Sequence, residues 1–86
     1  MIHELKCWPE FFEPILTGEK TFELRDDDRG FSVGDILLLR EYDPDGYTGR
    51  QVRVEVTYII SGLPWLQAGY VAMAIKPVTG SYSRHK

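Results

Sequence analysis

This chain of 86 residues lacks several features that would assign it to a special class of protein. No apolar run approaches the about 18 residues that a membrane helix needs, so a membrane role is not expected. The single cysteine, Cys7, excludes an intramolecular disulfide and a thiolate metal cluster within the chain, and is expected to be a small buried hydrophobe. The N-terminus shows no secretion-signal pattern. We therefore expect a soluble, cytoplasmic protein without a metal or a cofactor.

Basic residues are few and form no long block. Residues 1–55 carry seven basic and thirteen acidic side chains, whereas residues 56–86 carry three basic and no acidic ones. Tight nonspecific binding to duplex DNA, which needs several phosphate contacts, is therefore not expected. Any nucleic-acid function must rest on a local basic cluster within an acidic surface. Alternatively, the acidic face of residues 26–45 binds a protein partner.

The composition, 43% hydrophobic and 27% charged, is that of one globular domain. We place that domain at residues 1–77 and expect the polar C-terminal tail, 78–86, to fray. Period-two alternation predicts strands at 2–7, 20–25 and 50–60. Residues 36–42 are apolar on both faces and predict a central strand, and residues 69–76 are expected to form the last strand. Turn-forming residues at 43–49 predict a hairpin loop. The fold class is α+β, mainly β: a small, partly open barrel of about five mostly antiparallel strands.

One early helix is predicted between Pro9 and Gly18. Proline suits a first helical position, and glycine suits the left-handed residue that ends a helix. Pro14 lies inside this segment and removes a backbone donor, so the helix start is expected to be irregular or shifted toward it.

The densest group of polar side chains follows this helix. The strand after Gly18 presents Thr21, Glu23 and Arg25 on one face, and the long stem of Lys20 reaches toward the same cleft. Arg25 offers a planar fork for phosphate, Lys20 a mobile point charge, and Glu23 holds Arg25 or reads the edge of a base. The alternative is an ordinary solvated strand face with one Glu–Arg pair, and periodicity by itself favours it.

Stacking surfaces for bases would complete a nucleic-acid site. Trp65, in the loop at 61–68, is the best candidate for an exposed aromatic lid, and Tyr47 at the hairpin tip is the second. Trp8 and Tyr70 are expected to pack in the core or at a loop tip that closes one end of the barrel. Arg29, in the polar turn 26–30, is either a further ligand contact or a partner of Asp28. The candidate binding residues are Lys20, Thr21, Glu23, Arg25, Arg29 and Trp65.

The segment GEKTFELR at 18–25, followed by VGD at 33–35, resembles the ASCH domain of the PUA-like superfamily. Residues 3–6, 28–31 and 41–43 resemble more closely a compact bacterial and phage group of that superfamily with no settled function. The resemblance spans residues 2 to about 76. It implies a β-barrel with a cleft beside the first helix, lined by the Gly-x-Lys segment, that binds RNA, a nucleotide or a modified base.

Some small ASCH proteins are amidohydrolases that deacetylate N4-acetylcytidine with a lysine, a threonine and a late glutamate. Lys20 matches that lysine, but Glu23 stands at the position of the threonine, and no acidic residue follows Glu55. RNA or nucleotide binding is therefore the first hypothesis. A hydrolase of a modified nucleoside, using Lys20 and Glu23, is the alternative, and a protein-interaction module is the second alternative.

Overall fold

A computed structural model describes residues 1–84 of the chain. They form one helix and six strands, and the five predicted strands are all present. The elements are β1 (Ile2–Cys7), α1 (Pro9–Thr17), β2 (Phe22–Asp26), β3 (Ile36–Asp43), β4 (Gly46–Ser61), β5 (Tyr70–Pro77) and β6 (Ser83–Arg84). Within the described residues, no helix has the length and apolar character to cross a membrane.

All strands belong to one sheet with the order β1-β3-β4-β5-β2. β1 runs parallel to β3, and the remaining neighbours are antiparallel. β1 and β2 are thus the two outer strands, yet a side chain of β2 reaches the backbone of β1, because the sheet curls into a half-barrel. The expectation of a small, mainly β, partly open barrel of about five strands with one helix is confirmed.

The core fills the concave side of this half-barrel. α1 packs against β3 and contributes Phe12 and Ile15 to the core. The alternation predicted for β4 is confirmed at Val52, Val54 and Val56, which are buried. Beyond Val56 the expected continuation to Tyr58 and Ile60 is wrong, because the strand register shifts after Val56 and leaves both side chains exposed. The buried apolar residues are Leu5, Cys7, Phe12, Ile15, Phe31, Leu37, Leu39, Val52, Val54, Val56, Val71, Met73 and Ile75. The prediction that Cys7 is a buried hydrophobe is also confirmed.

The helix begins at Pro9, so the predicted irregular or shifted start is wrong. Trp8 precedes the helix in an extended conformation, and its carbonyl accepts hydrogen bonds from the amides of Phe11 and Phe12. Pro14 lies inside the helix and has no backbone N–H, so the carbonyl of Glu10 lacks its helical donor. Glu10 is exposed in the first turn, where water can bind this carbonyl. Gly18 ends the helix as predicted, with φ at 84°.

The hairpin between β3 and β4 is tighter than predicted. β3 ends at Asp43 and β4 begins at Gly46, so Tyr47 lies on a strand and pairs with Tyr42 instead of occupying a loop tip. At the other end of the chain, β6 pairs with residues 50–51 of β4. Residues 85–86 of the tail that is expected to fray lie outside the described residues.

Candidate functional site

A cleft of about 640 Å³ lies between the two outer strands, β1 and β2. The end of β1, the start of α1, the whole of β2 except its last residue and the end of β3 form its walls. Its lining residues are Lys6, Cys7, Trp8, Phe11, Lys20, Phe22, Glu23, Leu24, Arg25 and Tyr42. A volume of this size holds a small organic molecule such as a nucleoside or nucleotide.

Two arginine side chains bridge the gap between β1 and β2, which we call the seam. Arg25 Nη2 donates to the Lys6 carbonyl at 2.8 Å, and Arg29 Nη1 donates to the Glu4 carbonyl at 2.9 Å. An edge strand leaves backbone groups unpaired, and these side chains satisfy two of them. Because side chains and not a strand ladder join the edges, the seam remains open as a cleft.

A buried carboxylate lies at the centre of the cleft. Glu23 is only 3% exposed. Its Oε1 accepts a hydrogen bond from Lys20 Nζ at 2.6 Å, and its Oε2 accepts one from Arg25 Nε at 2.9 Å. A buried charge is costly unless it is paired and hydrogen-bonded, and here both oxygens have a cationic donor. Lys20 Nζ also donates to the Phe22 carbonyl at 2.7 Å.

The geometry of the helix–strand joint places these groups. The left-handed Gly18 turns the chain, and the Lys20 amide then donates to the Pro14 carbonyl at 3.0 Å. On β2 the alternation turns Glu23 inward and leaves Phe22 and Leu24 exposed. The predicted separation of the two faces of this strand is therefore confirmed.

The rest of the cleft wall is apolar and exposed to solvent. Trp8, Phe11, Phe22 and Leu24 each expose about half of their surface, between 45% and 55%. Of the two positions expected for Trp8, the core is wrong, because the residue precedes α1 and is half exposed at the mouth of the cleft. Apolar walls around a few polar groups are the usual composition of a small-molecule site.

The cleft is cationic although the chain is acidic. Its lining holds three cationic side chains, Lys6, Lys20 and Arg25, and one carboxylate, Glu23, which gives a formal charge of +2. The whole chain has a formal charge of −3. This is the local basic cluster that an anionic ligand would require. Burial raises the pKa of the Cys7 thiol to about 11, so that residue contributes no thiolate at neutral pH.

The structure brings three of the six predicted binding residues together: Lys20, Glu23 and Arg25 line one cleft. Thr21, Arg29 and Trp65 do not line it. The Thr21 carbonyl accepts a hydrogen bond from β5, and Arg29 lies farther along the seam, 3.8 Å from Asp28. Trp65 is 78% exposed in a separate surface pocket formed by the loop 62–68.

Two further lining residues, Lys6 and Tyr42, are not among those predicted from the sequence. Lys6 and Tyr42 lie on β1 and β3, and Lys6 Nζ is 4.4 Å from the centre of the Tyr42 ring. In the sequence, Lys6 and Tyr42 are each next to a residue that is buried, Cys7 and Glu41 respectively. Strand alternation therefore predicts that they face away from the core, but it does not predict a cleft. Their contribution depends on how far the sheet curls.

The acidic face of residues 26–45 is smaller in the structure than in the sequence, because Asp35 and Glu41 are buried. Asp35 accepts hydrogen bonds from His3 and from the Ser32 amide, which hold the pKa of its carboxyl below its ordinary value. Glu41 accepts two hydrogen bonds from Arg50, at 2.8 and 2.9 Å. In residues 1–84, no three His, Cys, Asp or Glu side chains are placed to hold a metal ion together.

Two comparisons with known proteins find similarity to sequences whose descriptions state no function. A family model described as "Domain of unknown function (DUF3850)" matches residues 2–75. The chain is also 36% identical over 66 residues to a protein of Escherichia phage P2 described as "Uncharacterized 12.9 kDa protein in GpA 3'region". That match covers 77% of this chain and 61% of the phage protein, so the chain spans less than two thirds of this relative.

Proposed function

This chain belongs to the DUF3850 family, and we propose that its cleft binds one nucleotide unit, either free or within single-stranded RNA. The observation that carries the proposal is the composition of the cleft. Exposed aromatic rings surround a buried carboxylate that is held by two cations, and the lining has a formal charge of +2. A nucleotide combines the two features that such a cleft complements, a flat π-system and an anion.

The roles of the lining residues follow from their positions. A base stacks against the exposed rings of the wall, and each base–aromatic stack is worth about 1–3 kcal/mol. Lys20 and Arg25 attract the phosphate, and Arg25 offers guanidinium donors beyond the two that already bind Glu23 and Lys6. Glu23 fixes the orientation of Arg25. Lys6, at the mouth of the cleft, is a further cation within reach of an anionic ligand.

We also propose that the domain is related to the ASCH domain of the PUA-like superfamily. The curled sheet, the single early helix and the cleft beside that helix support this placement. So does the position of the segment GEKTFELR, whose Lys20, Glu23 and Arg25 line the cleft. RNA binding is what the resemblance implies for such a cleft.

The test is an NMR titration of ¹⁵N-labelled protein with each of the four nucleoside 5′-monophosphates. We expect amide shifts at residues 6–8 and 20–25. Lys20→Ala and Arg25→Ala should each weaken binding at least tenfold, because each removes a cation that faces the ligand. The matched control is Arg53→Ala, which removes one positive charge from an exposed position on β4 outside the cleft.

Folding must be checked separately, since both cleft variants leave Glu23 with one cationic partner. A dispersed amide spectrum and a cooperative thermal transition establish that a variant is folded. Unchanged affinity in two folded variants, or shifts confined to other surfaces, would contradict the proposal.

Hydrolysis of a modified nucleoside is a second candidate, favoured by one observation. Lys20 Nζ lies 2.6 Å from Glu23 Oε1 inside the cleft, a distance that permits proton transfer. In this reaction water attacks the acetyl carbonyl of N4-acetylcytidine, the amide C–N bond breaks, and cytidine and acetate leave. Chromatography would detect cytidine. No turnover above that of Lys20→Ala would remove this candidate and leave nucleotide binding intact.

A further inference from the structure

An aromatic track leads out of the cleft along the hairpin of β3 and β4. It consists of Trp8, Tyr42 and Tyr47. The ring centres of Trp8 and Tyr42 are 6.1 Å apart, and those of Tyr42 and Tyr47 are 5.1 Å apart. Trp8 and Tyr42 line the cleft, whereas Tyr47 lies beyond it and is 46% exposed.

Cations alternate with these rings. Lys6 Nζ lies 4.4 Å from the ring centre of Tyr42, and the Arg40 guanidinium carbon lies 3.8 Å from that of Tyr47. Lys6 and Arg40 are cross-strand partners on β1 and β3, so the two positive charges lie side by side along the track. Arg40 is held in place by Glu4, whose Oε1 is 2.6 Å from its Nη1.

We propose that the aromatic track carries the nucleotides next to the one in the cleft, so that the ligand is a single-stranded RNA of about three nucleotides. This inference rests on the proposed function, because the track begins at the cleft. Aromatic rings interleaved with cations are what sequence-tolerant binding of single strands requires. Bases also stack on guanidinium planes such as that of Arg40.

The far end of the track limits the length of the ligand. The turn beyond Tyr47 carries Asp43 and Asp45, and the Asp45 amide donates to Asp43 Oδ1 at 2.8 Å. Two carboxylates at this position repel a further phosphate. The affinity should therefore rise with each nucleotide up to about three and then level off.

The experiment compares 5′-phosphorylated RNAs of one to five nucleotides, each an equimolar mixture of the four bases, by NMR titration. We expect the affinity to increase at least tenfold from one nucleotide to three and to change less than twofold from three to five. Tyr47→Ala should weaken binding of the three-nucleotide RNA at least fivefold and leave binding of the mononucleotides unchanged. The control is Tyr58→Ala, the same substitution at an exposed position on the same strand outside the track, where the side chain is 66% exposed against 46% for Tyr47.

Tyr47→Leu provides a second variant, because it keeps apolar contact with Tyr42 but removes the aromatic face. It should show the same loss as the alanine variant. Mononucleotide binding with no gain from added length would overturn the track and leave the cleft proposal standing. Equal losses in Tyr47→Ala and Tyr58→Ala would also overturn the track. Absence of binding to any RNA of the series would overturn the proposed function and this inference together.

Discussion

At the scale of single residues, Glu23 determines both the stability and the charge of the cleft. Its side chain is buried between Lys20 and Arg25, which each donate a hydrogen bond to it. Both cations have a second acceptor, the carbonyls of Phe22 and Lys6 respectively. They therefore keep one partner each when Glu23 is changed, which limits the cost of losing the carboxylate.

We expect Glu23→Gln to lower the free energy of unfolding by about 1–3 kcal/mol, the usual cost of losing a hydrogen bond to a charged group. Urea denaturation measures this difference. Glu55→Gln is the control, because it changes the same group at a half-buried position on β4 where no salt bridge is formed within residues 1–84. Equal stability of the two variants would show that the buried carboxylate does not hold the cleft together.

Acid should destabilise the protein through Glu41 as well as through Asp35, because both carboxyls have lowered pKa values. Hydrogen bonds from Arg50 and Thr48 hold the pKa of this buried carboxyl below its ordinary value. A carboxyl whose pKa is lower in the folded chain stabilises the fold above its unfolded pKa, and this stability is lost as the pH falls through the folded value. We therefore expect the free energy of unfolding to decrease steadily as the pH is lowered below about 4.

Glu41→Gln tests that source of pH dependence. It should cost about 2 kcal/mol at pH 7, because the partly buried Arg50 loses its bidentate partner and keeps its ion pair with Glu13. The same variant should lose less further stability than the wild type between pH 5 and pH 3. Urea denaturation at pH 7, 5 and 3 gives both quantities, and parallel pH curves for variant and wild type would rule out Glu41 as the source.

At the scale of elements, the joint between α1 and β2 depends on Gly18. Its φ of 84° is in the left-handed region, and no heavy atom lies within 4 Å of the place where a Cβ would be added. The cost of a substitution is therefore conformational and not steric. Gly18→Ala should lower the free energy of unfolding by about 1–2 kcal/mol, whereas Gly18→Asn should cost less, because asparagine tolerates this region. Thermal or urea unfolding compares them, and equal costs would contradict the conformational explanation.

The elements that could be predicted from the sequence are those with local signals. The alternating valines of β4 and the proline and glycine that bracket α1 each act within a few residues, and the structure contains both elements, although β4 begins before residue 50. The start of the helix could not be predicted correctly, because the cost of Pro14 depends on the surroundings of the backbone carbonyl that loses its hydrogen-bond donor, and the sequence does not show these surroundings. The hairpin is present, but its loop is shorter than predicted: Tyr47 pairs with Tyr42, and turn-forming residues do not reveal where pairing resumes.

At the scale of the whole molecule, the cleft exists because the two outer strands of one sheet face each other. Lys20, Glu23 and Arg25 could be predicted as neighbours since they share one joint and one strand. Lys6, Trp8 and Tyr42 could not, because they join the cleft only when the sheet curls and arginines bridge the seam. The same holds for Trp65: its exposure could be predicted, but not its position outside the cleft.

The charge distribution of the whole molecule predicts a modest dependence of RNA binding on salt. Single strands lose about 0.7 in the logarithm of the binding constant, per phosphate contact, for each tenfold increase in salt concentration. The cations that face the cleft and the aromatic track allow about three such contacts, so we expect a slope of about −2 in a double-logarithmic plot for the three-nucleotide RNA.

Lys6→Ala should make this slope shallower by about 0.7, because it removes one contact. Lys76→Ala, which removes a charge from an exposed position on β5 outside the cleft, should leave it unchanged. Titrations between 50 and 300 mM salt provide the slopes. A slope near zero for the wild type would show that phosphates do not contact this surface, and equal slopes for the two variants would exclude Lys6 from the contacts.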